Sequence, residues 1–370
     1  MPRGTGDVER PGGTCPVESA LDGVDGPVPL RARQNDSMSN IPPLNQTVPD
    51  LADLLASARV VALPLATRFR GIDEREALLL EGENGWAEFS PFVEYGDAES
   101  ATWLRAAVEF AWGELPAPLR RSIPVNATVP AVHVDRVTGI LKRFDGCRTA
   151  KIKVAERGQS LVEDLSRVRK VRELMGPEGR IRVDANGGWN IDEAEHAIHA
   201  LAEFDLEYVE QPCATVPELV EIRRRTKYMG VPIAADESVR KAADPLTVAE
   251  AGAADILVLK AQPLGGIRRS LDIIAQAGLP VVVSSALDTS VGLSMGAWLA
   301  AAVPDLEYDC GLGTASLLSA DVTDDPLQAV NGSIDVRRVV PSQRLLDGYA
   351  ASAERRDWWL DRLRRCHALL

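Results

Sequence analysis

The chain has 370 residues, 45% hydrophobic and 26% charged, a composition suited to one large domain with a smaller one attached. A formal net charge of −13 excludes a nucleic-acid surface or an anionic membrane as the main partner, because both require clustered Lys and Arg. No apolar run approaches the roughly 20 residues that span a bilayer, and the five scattered cysteines contain no CxxC pair, so a cytoplasmic protein with reduced thiols is expected.

Residues 1–45 are rich in Gly, Pro, Asp and Arg without a sustained period and read as a disordered extension, with Met38 expected as the natural start. From Ala58 to Phe89, the runs ARVVALPLATRFR, EREALLLEG and GWAEFSPF are separated by GIDE and GENG, which predicts a three-stranded antiparallel meander. Residues 97–114 carry Trp103, Leu104, Ala107, Phe110 and Ala111 at helical spacing, completing a small α+β unit over 46–122. The basic tip Thr67 to Gly71 between its first two strands reads, on spacing alone, as a solvated hairpin end.

After Pro124 short apolar strands alternate with amphipathic helices. Strands are predicted from residues 125, 149, 180, 206, 231, 255, 280 and 307, a repeat of about 25 residues that matches a (β/α)₈ barrel. The final strand runs into GLGTASLL without an amphipathic helix. The expected fold class is therefore α/β, a modified TIM-like barrel of the (β/α)₇β kind over 123–318, with a small α+β capping domain. Residues 319–370, with the strand-like IDVRRVVP and a helix carrying Trp358, Trp359, Leu360 and Leu363, are expected to pack back on the cap.

In TAKIKVA (149–155), Lys151 and Lys153 share one strand face while Ile152 and Val154 take the other. Two buried ammonium groups side by side require carboxylates or an anionic ligand. In such barrels the site lies at the C-terminal strand ends. Those ends supply Asp184 and Asn186, Glu210 and Gln211, Asp236 and Glu237, Lys260, and Ser284 with Ser285. Asp184, Glu210 and Asp236 offer hard oxygen ligands suited to octahedral Mg²⁺, with Mn²⁺ as a substitute. Zinc is not expected, because His196 and His199 fall on a helix among acidic and aliphatic neighbours.

A dication and two or three lysines around three carboxylates leave a positive pocket, which suits a small anionic carboxylate substrate. Mg²⁺ on that carboxylate would stabilise the enediolate formed when the neighbouring carbon loses its proton, with a lysine as base. Lys153 is the expected proton-transfer group, Lys151 the neighbouring cation, and Lys260 a second base or fixed cation opposite. Arg182 shares the face of Asp184 and is read as either a buried partner of Glu210 or a substrate contact.

The segments TAKIKV, VDANGGW, VEQP, AADES and LVLKAQPLGG resemble the enolase superfamily over the barrel and, more loosely, over the unit at 58–115. The short cap, the RFRG loop, GWAEFSPF and CGLGTASLL are similar to the o-succinylbenzoate synthase family of the actinobacterial type. The resemblance implies a hydro-lyase that dehydrates 2-succinyl-6-hydroxy-2,4-cyclohexadiene-1-carboxylate to o-succinylbenzoate in menaquinone synthesis. It implies Lys153 as the group that abstracts the α-proton and then protonates the departing hydroxyl in a syn elimination. It also implies Asp184, Glu210 and Asp236 on Mg²⁺ and Lys260 facing the anion. For the succinyl tail it points to Arg68, Arg70, Ser284, Ser285, Gly311, Gly313 and Thr314, with Asn186 and Lys151 as further contacts. An N-succinylamino acid racemase, a dipeptide epimerase or a muconate-type cycloisomerase would share the metal triad and lysines. A non-catalytic barrel would be expected to lack a ligand or base, and none is missing. A monomer and a homo-oligomer are both compatible with these motifs.

Overall fold

The computed structural model describes residues 48–69, 71–241 and 244–370. The expected N-terminal extension, the start at Met38 and the loop residue Arg70 therefore lie outside the described residues. A short helix α1 (Leu51–Ser57) leads into β1 (Arg59–Phe69), β2 (Ile72–Gly82) and β3 (Gly85–Phe89), an antiparallel sheet in that order, as the turn-separated runs predict. α1 and α2 (Asp97–Trp112) both pack on β2, which is why Ala77 to Leu80 are buried without alternation. α2 buries Trp103, Leu104, Ala107, Phe110 and Ala111 as its spacing predicts.

After β4 (Ser122–Pro124) comes a curled sheet of seven parallel strands lying side by side in chain order. They are β5 (Ala127–Val129), β6 (Thr149–Lys153), β7 (Arg180–Asp184), β8 (Leu206–Glu210), β9 (Ile233–Ala235), β10 (Ile256–Leu259) and β11 (Val281–Val283). Between them run α3 (Val134–Leu141), α4 (Leu161–Met175), α5 (Ile191–Leu201), α6 (Val216–Thr226), three short turns of helix α7 (Glu237–Arg240), α8 (Thr247–Glu250) and α9 (Ala261–Leu264), and α10 (Ile267–Ala277); α11 (Ser290–Ala302) follows β11. α4, α5 and α6 each start in a capping box, Ser160 with Glu163, Asn190 with Glu193 and Thr215 with Glu218. These boxes satisfy N–H groups that a helix start leaves open and fix where each helix leaves the strand end.

The predicted eighth strand is reduced to Cys310 and Gly311, whose parallel bridges to Val125 and Ser284 link the two edges of the sheet. Glycine is needed at 311, since a Cβ there would collide with the Ser284 hydroxyl. Tyr208, Ala234, Ile256, Val258 and Val282 pack together with Tyr308 as a separate apolar cluster of inward-facing strand residues.

Arg182 reaches neither Glu210 nor the cleft. A register shift between Ile181 and Arg182 sets it against Glu207, with Nε donating at 2.5 Å, while Nη1 donates to the Asp309 carbonyl at 2.7 Å and the guanidinium stacks 4.8 Å from the Tyr208 centroid. The predicted strand IDVRRVVP also shortens, to β12 (Ser333–Asp335), because its partner β4 is only three residues long.

α12 (Gln343–Gly348) and α13 (Ala353–His367) end the chain. Trp359 meets Phe89 edge to face at 6.0 Å, and the buried Arg362 donates to the carbonyls of Pro91, Phe92 and Tyr95. Arg355 pairs with Glu76 at 2.6 Å.

Two buried carboxylates join the cap to barrel helices. Glu109 of α2 accepts from the Ile267 and Arg268 N–H groups at 2.5 and 3.2 Å, at the start of α10. The preceding Gly266 has φ +121, and a Cβ there would strike the same carboxylate. Glu88 of β3 accepts from the Thr289 N–H at 3.0 Å, the Thr289 hydroxyl at 2.6 Å and the Gly292 N–H at 3.2 Å, at the start of α11. Both meet the positive end of a helix, where open N–H groups favour negative charge.

Glu109→Ala leaves two N–H groups without their acceptor and is expected to lower the unfolding free energy by about 2 kcal/mol, read from urea denaturation at unchanged m-value.

Candidate active site

β6 to β10 place their last inward residues in one layer. The parallel register sets Lys153 opposite Asp184 and Asp184 opposite Glu210, with Asp236 directly after β9 and Lys260 directly after β10. A cleft opens above them. Lys151, Lys153, Asp184, Asp236 and Lys260 line it together with Ser284, Ser285 and Leu287, and Thr128, Asn186, Gly311 and Thr314 complete the lining.

Lys151 Nζ lies 2.9 and 3.0 Å from the two Glu210 oxygens and 3.3 Å from Asp184 Oδ2. Burial alone would lower its pKa, but Glu210 and Asp184 outweigh that and hold it well above the usual lysine range, so it is a fixed cation. Lys153 Nζ donates to Asp184 Oδ2 at 2.5 Å and to Asn186 Oδ1 at 2.8 Å, beneath the Phe69 ring at 5.6 Å. Burial opposes ionisation of Asp184, yet Lys153 and Lys151 keep its carboxyl below the ordinary range.

Glu210 differs. Burial and the adjacent Asp184 charge push it up to about 7 despite Lys151. Asp236 is paired with Lys260 and with Arg240, 3.3 Å from Arg240 Nε, and these cations hold its carboxyl low against burial. Lys260 itself is shifted below its ordinary range, chiefly by burial.

Among the described residues no three acidic, imidazole or thiol groups stand as a ready-made metal set, since each carboxylate of the layer holds a basic side chain. The donors nevertheless fit a divalent cation. Two carboxylates turn oxygens toward one positive centre, the Lys151 ammonium, and the crowding that raises Glu210 is what a hard dication relieves.

Of the expected substrate contacts, Ser285 bonds the Gly311 carbonyl at 2.9 Å and Thr314 Oγ1 at 2.8 Å, forming a polar wall with Ser284. Asn186, at φ +47, accepts from Lys153 and donates to Glu237 at 3.2 Å. Gly313 is not in the lining; its Cα faces the Asn126 carbonyl and the Phe144 ring. Arg68 pairs with Asp73 across the exposed hairpin at 3.1 Å and lines an adjoining groove shared with Lys153 and Asn186.

The fold adds Phe69 and Arg240 and gives the strand-end residue Gln211 its task. Among the described residues Phe69, between the two arginines of the tip, is the cap side chain that lines the cleft, and its apolar type in a basic loop is the available signal. Gln211, at φ +41, accepts from the Asp236 and Ser238 N–H groups and so orients the Asp236 turn. Arg240 joins Asp236 and Glu237 to the cap through Tyr95 Oη at 2.9 Å, a link no local pattern marks.

Two family signatures match the chain, "Enolase N-terminal domain-like" over residues 60–111 and "Enolase C-terminal domain-like" over 138–341. The chain belongs to the enolase superfamily. Among curated proteins it is 54% identical to the o-succinylbenzoate synthase of Mycolicibacterium smegmatis over 324 residues, 87% of this chain and 99% of that one. It is 57% identical to the o-succinylbenzoate synthase of Thermobifida fusca over 292 residues, 79% and 91% of the two chains. The muconate lactonizing enzyme of Pseudomonas fluorescens superposes with a TM-score of 0.69 at 19% identity, covering 80% of this chain and 98% of that one. The L-Ala-D/L-Glu epimerase of Bacillus subtilis gives 0.64 at 22% identity, over 77% and 96%. These solved structures share the enolase-like barrel fold.

Lys151→Met leaves Glu210 and Asp184 without their bridging cation. It is expected to cost about 3 kcal/mol or more in the metal-free protein, measured by urea denaturation near neutral pH.

Proposed function

We propose that this protein dehydrates 2-succinyl-6-hydroxy-2,4-cyclohexadiene-1-carboxylate to o-succinylbenzoate, a hydro-lyase step of menaquinone synthesis. The observation that carries the reading is identity above 50% to o-succinylbenzoate synthases across nearly their whole length. The lysine-lined cleft and its serine wall support it. In this reading 46–122 and 319–370 form the cap and 123–318 the catalytic barrel, supported by the bonds of α13 to β2 and to the loop before α2.

Asp184, Glu210 and Asp236 would hold Mg²⁺, or Mn²⁺ in its place, which when bound supplies Lewis-acid charge for the substrate carboxylate. Lys153, acting as the neutral amine, takes the proton from the carbon next to that carboxylate. The C–H electron pair moves into the carboxylate as an enediolate, faced by the ammonium groups of Lys151 and Lys260. The Lys153 ammonium then protonates the hydroxyl leaving from the same face, the C–O bond breaks, and the ring becomes aromatic with release of water. Asn186, bonded to Lys153, holds its amine toward the cleft. Arg240 and Gln211 hold Asp236 in position.

Lys153→Ala is expected to lower kcat by about 10³-fold or more in a spectroscopic assay of the cyclohexadiene acid; turnover at wild-type rate would overturn the mechanism. Mg²⁺ added to chelator-stripped protein is expected to raise Tm, with about 2.7 kcal/mol gained at a free concentration 100 times Kd. An unchanged melting curve would count against the three-carboxylate site.

A further inference from the structure

The loop after β11 forms one wall of the cleft through Ser285, Ala286 and Leu287. Leu287 adopts φ +63, a left-handed conformation that a branched, non-glycine residue keeps only where its surroundings enforce it. The enforcing groups come from the cap. Arg75 of β2, 3% exposed, donates from Nε to the Leu287 carbonyl at 3.1 Å. Its Nη2 donates to Ser90 Oγ at 2.9 Å and also to the Ser90 carbonyl, and its guanidinium lies 4.5 Å from the Phe92 centroid.

Ser90 in turn donates to Glu88, the carboxylate that caps α11 through Thr289 and Gly292. Asp288, buried between Leu287 and Thr289, is the second carboxylate facing Arg75. Two positions near the end of the wall loop that leads into α11 are thus tied to adjacent cap strands, Leu287 through Arg75 and Thr289 through Glu88. A guanidinium suits the task, because its planar fork serves two partners in fixed directions where an ammonium does not.

We infer that Arg75 is a positioning residue which, through the Leu287 carbonyl, sets the wall of the cleft that receives the part of the substrate remote from the reacting carbon. Arg75 does not line the cleft and lies outside the set of lysines and carboxylates, so it acts on substrate fit rather than on proton transfer. The inference rests on the dehydratase reading for the identity of that substrate part, the succinyl tail.

Hydrogen exchange and steady-state kinetics of the wild type, Arg75→Lys and Arg75→Met test it. Amide exchange at 286–289 is expected to quicken about tenfold in Arg75→Met with β6 to β8 unchanged, and KM to rise about tenfold while kcat stays within about threefold. Arg75→Lys, which keeps the charge but not the fork, is expected to fall between, and it decides the matter if Arg75→Met does not fold. Wild-type exchange and KM in a folded variant, or a fall in kcat alone, would overturn the proposal. A wild type without turnover on the cyclohexadiene acid would count against the dehydratase reading, while the exchange result would still decide the positioning role.

Discussion

The mouth of the barrel depends on one electrostatic constraint: charges buried at the ends of β6 to β10 have to neutralise one another. Asp184, Glu210 and Asp236 are each at most 2% exposed, and Lys151, Lys153, Lys260 and Arg240 answer them within hydrogen-bonding distance. Such pairs add little net stability, because desolvation cancels most of the attraction. What they provide is a set of exchangeable partners. A dication held by the carboxylates would free ammonium groups to face a substrate anion, and the layer would keep its balance. Glu210 marks the point of greatest tension, since burial and Asp184 together push it up to about 7.

A related device holds the cap in place. Glu88 and Glu109 would be costly alone in the core, yet each meets the N-terminus of a barrel helix, where backbone N–H groups take the role the lysines play in the cleft. Polar groups with one best orientation therefore locate the cap, and Phe69 arrives over Lys153 as a result. Arg240 adds a direct line from Asp236 to Tyr95, so the acidic layer and the cap share hydrogen bonds.

The parts legible in sequence are those governed by local rules. Strand parity put Lys151 and Lys153 on one face, strand ends named the three carboxylates, and helical spacing predicted α2. What escaped depends on relations across the chain. The Arg182 to Glu207 pair follows from a shift in strand register that residue spacing does not record. The eighth strand shrank to Cys310 and Gly311, because single bridges to Val125 on one edge and Ser284 on the other are enough to close the ring. Arg68, read as a substrate contact by resemblance, finds Asp73 across its own hairpin, whereas the uncharged Phe69 beside it turns to the cleft. Glu88 and Glu109 sit in segments that read as ordinary cap, and their partners lie 201 and 158 residues away.

The acidic layer cannot by itself select a reaction. A muconate lactonizing enzyme and an L-Ala-D/L-Glu epimerase share this fold at about one fifth identity, so activity is not set by architecture. Proton abstraction next to a carboxylate, as proposed, would draw on a dication site and a lysine, and the candidates for both lie at the ends of β6 to β10. Everything that distinguishes one carboxylate from another has to be read by the remaining walls, which are the cap hairpin and the loops after β11 and around Gly311. Those walls combine strained backbone with long-range ties: Leu287 at φ +63 is held by a residue 212 positions away. In the proposed reaction specificity would accordingly depend on how the cap grips the barrel, and the chemistry on the barrel strands.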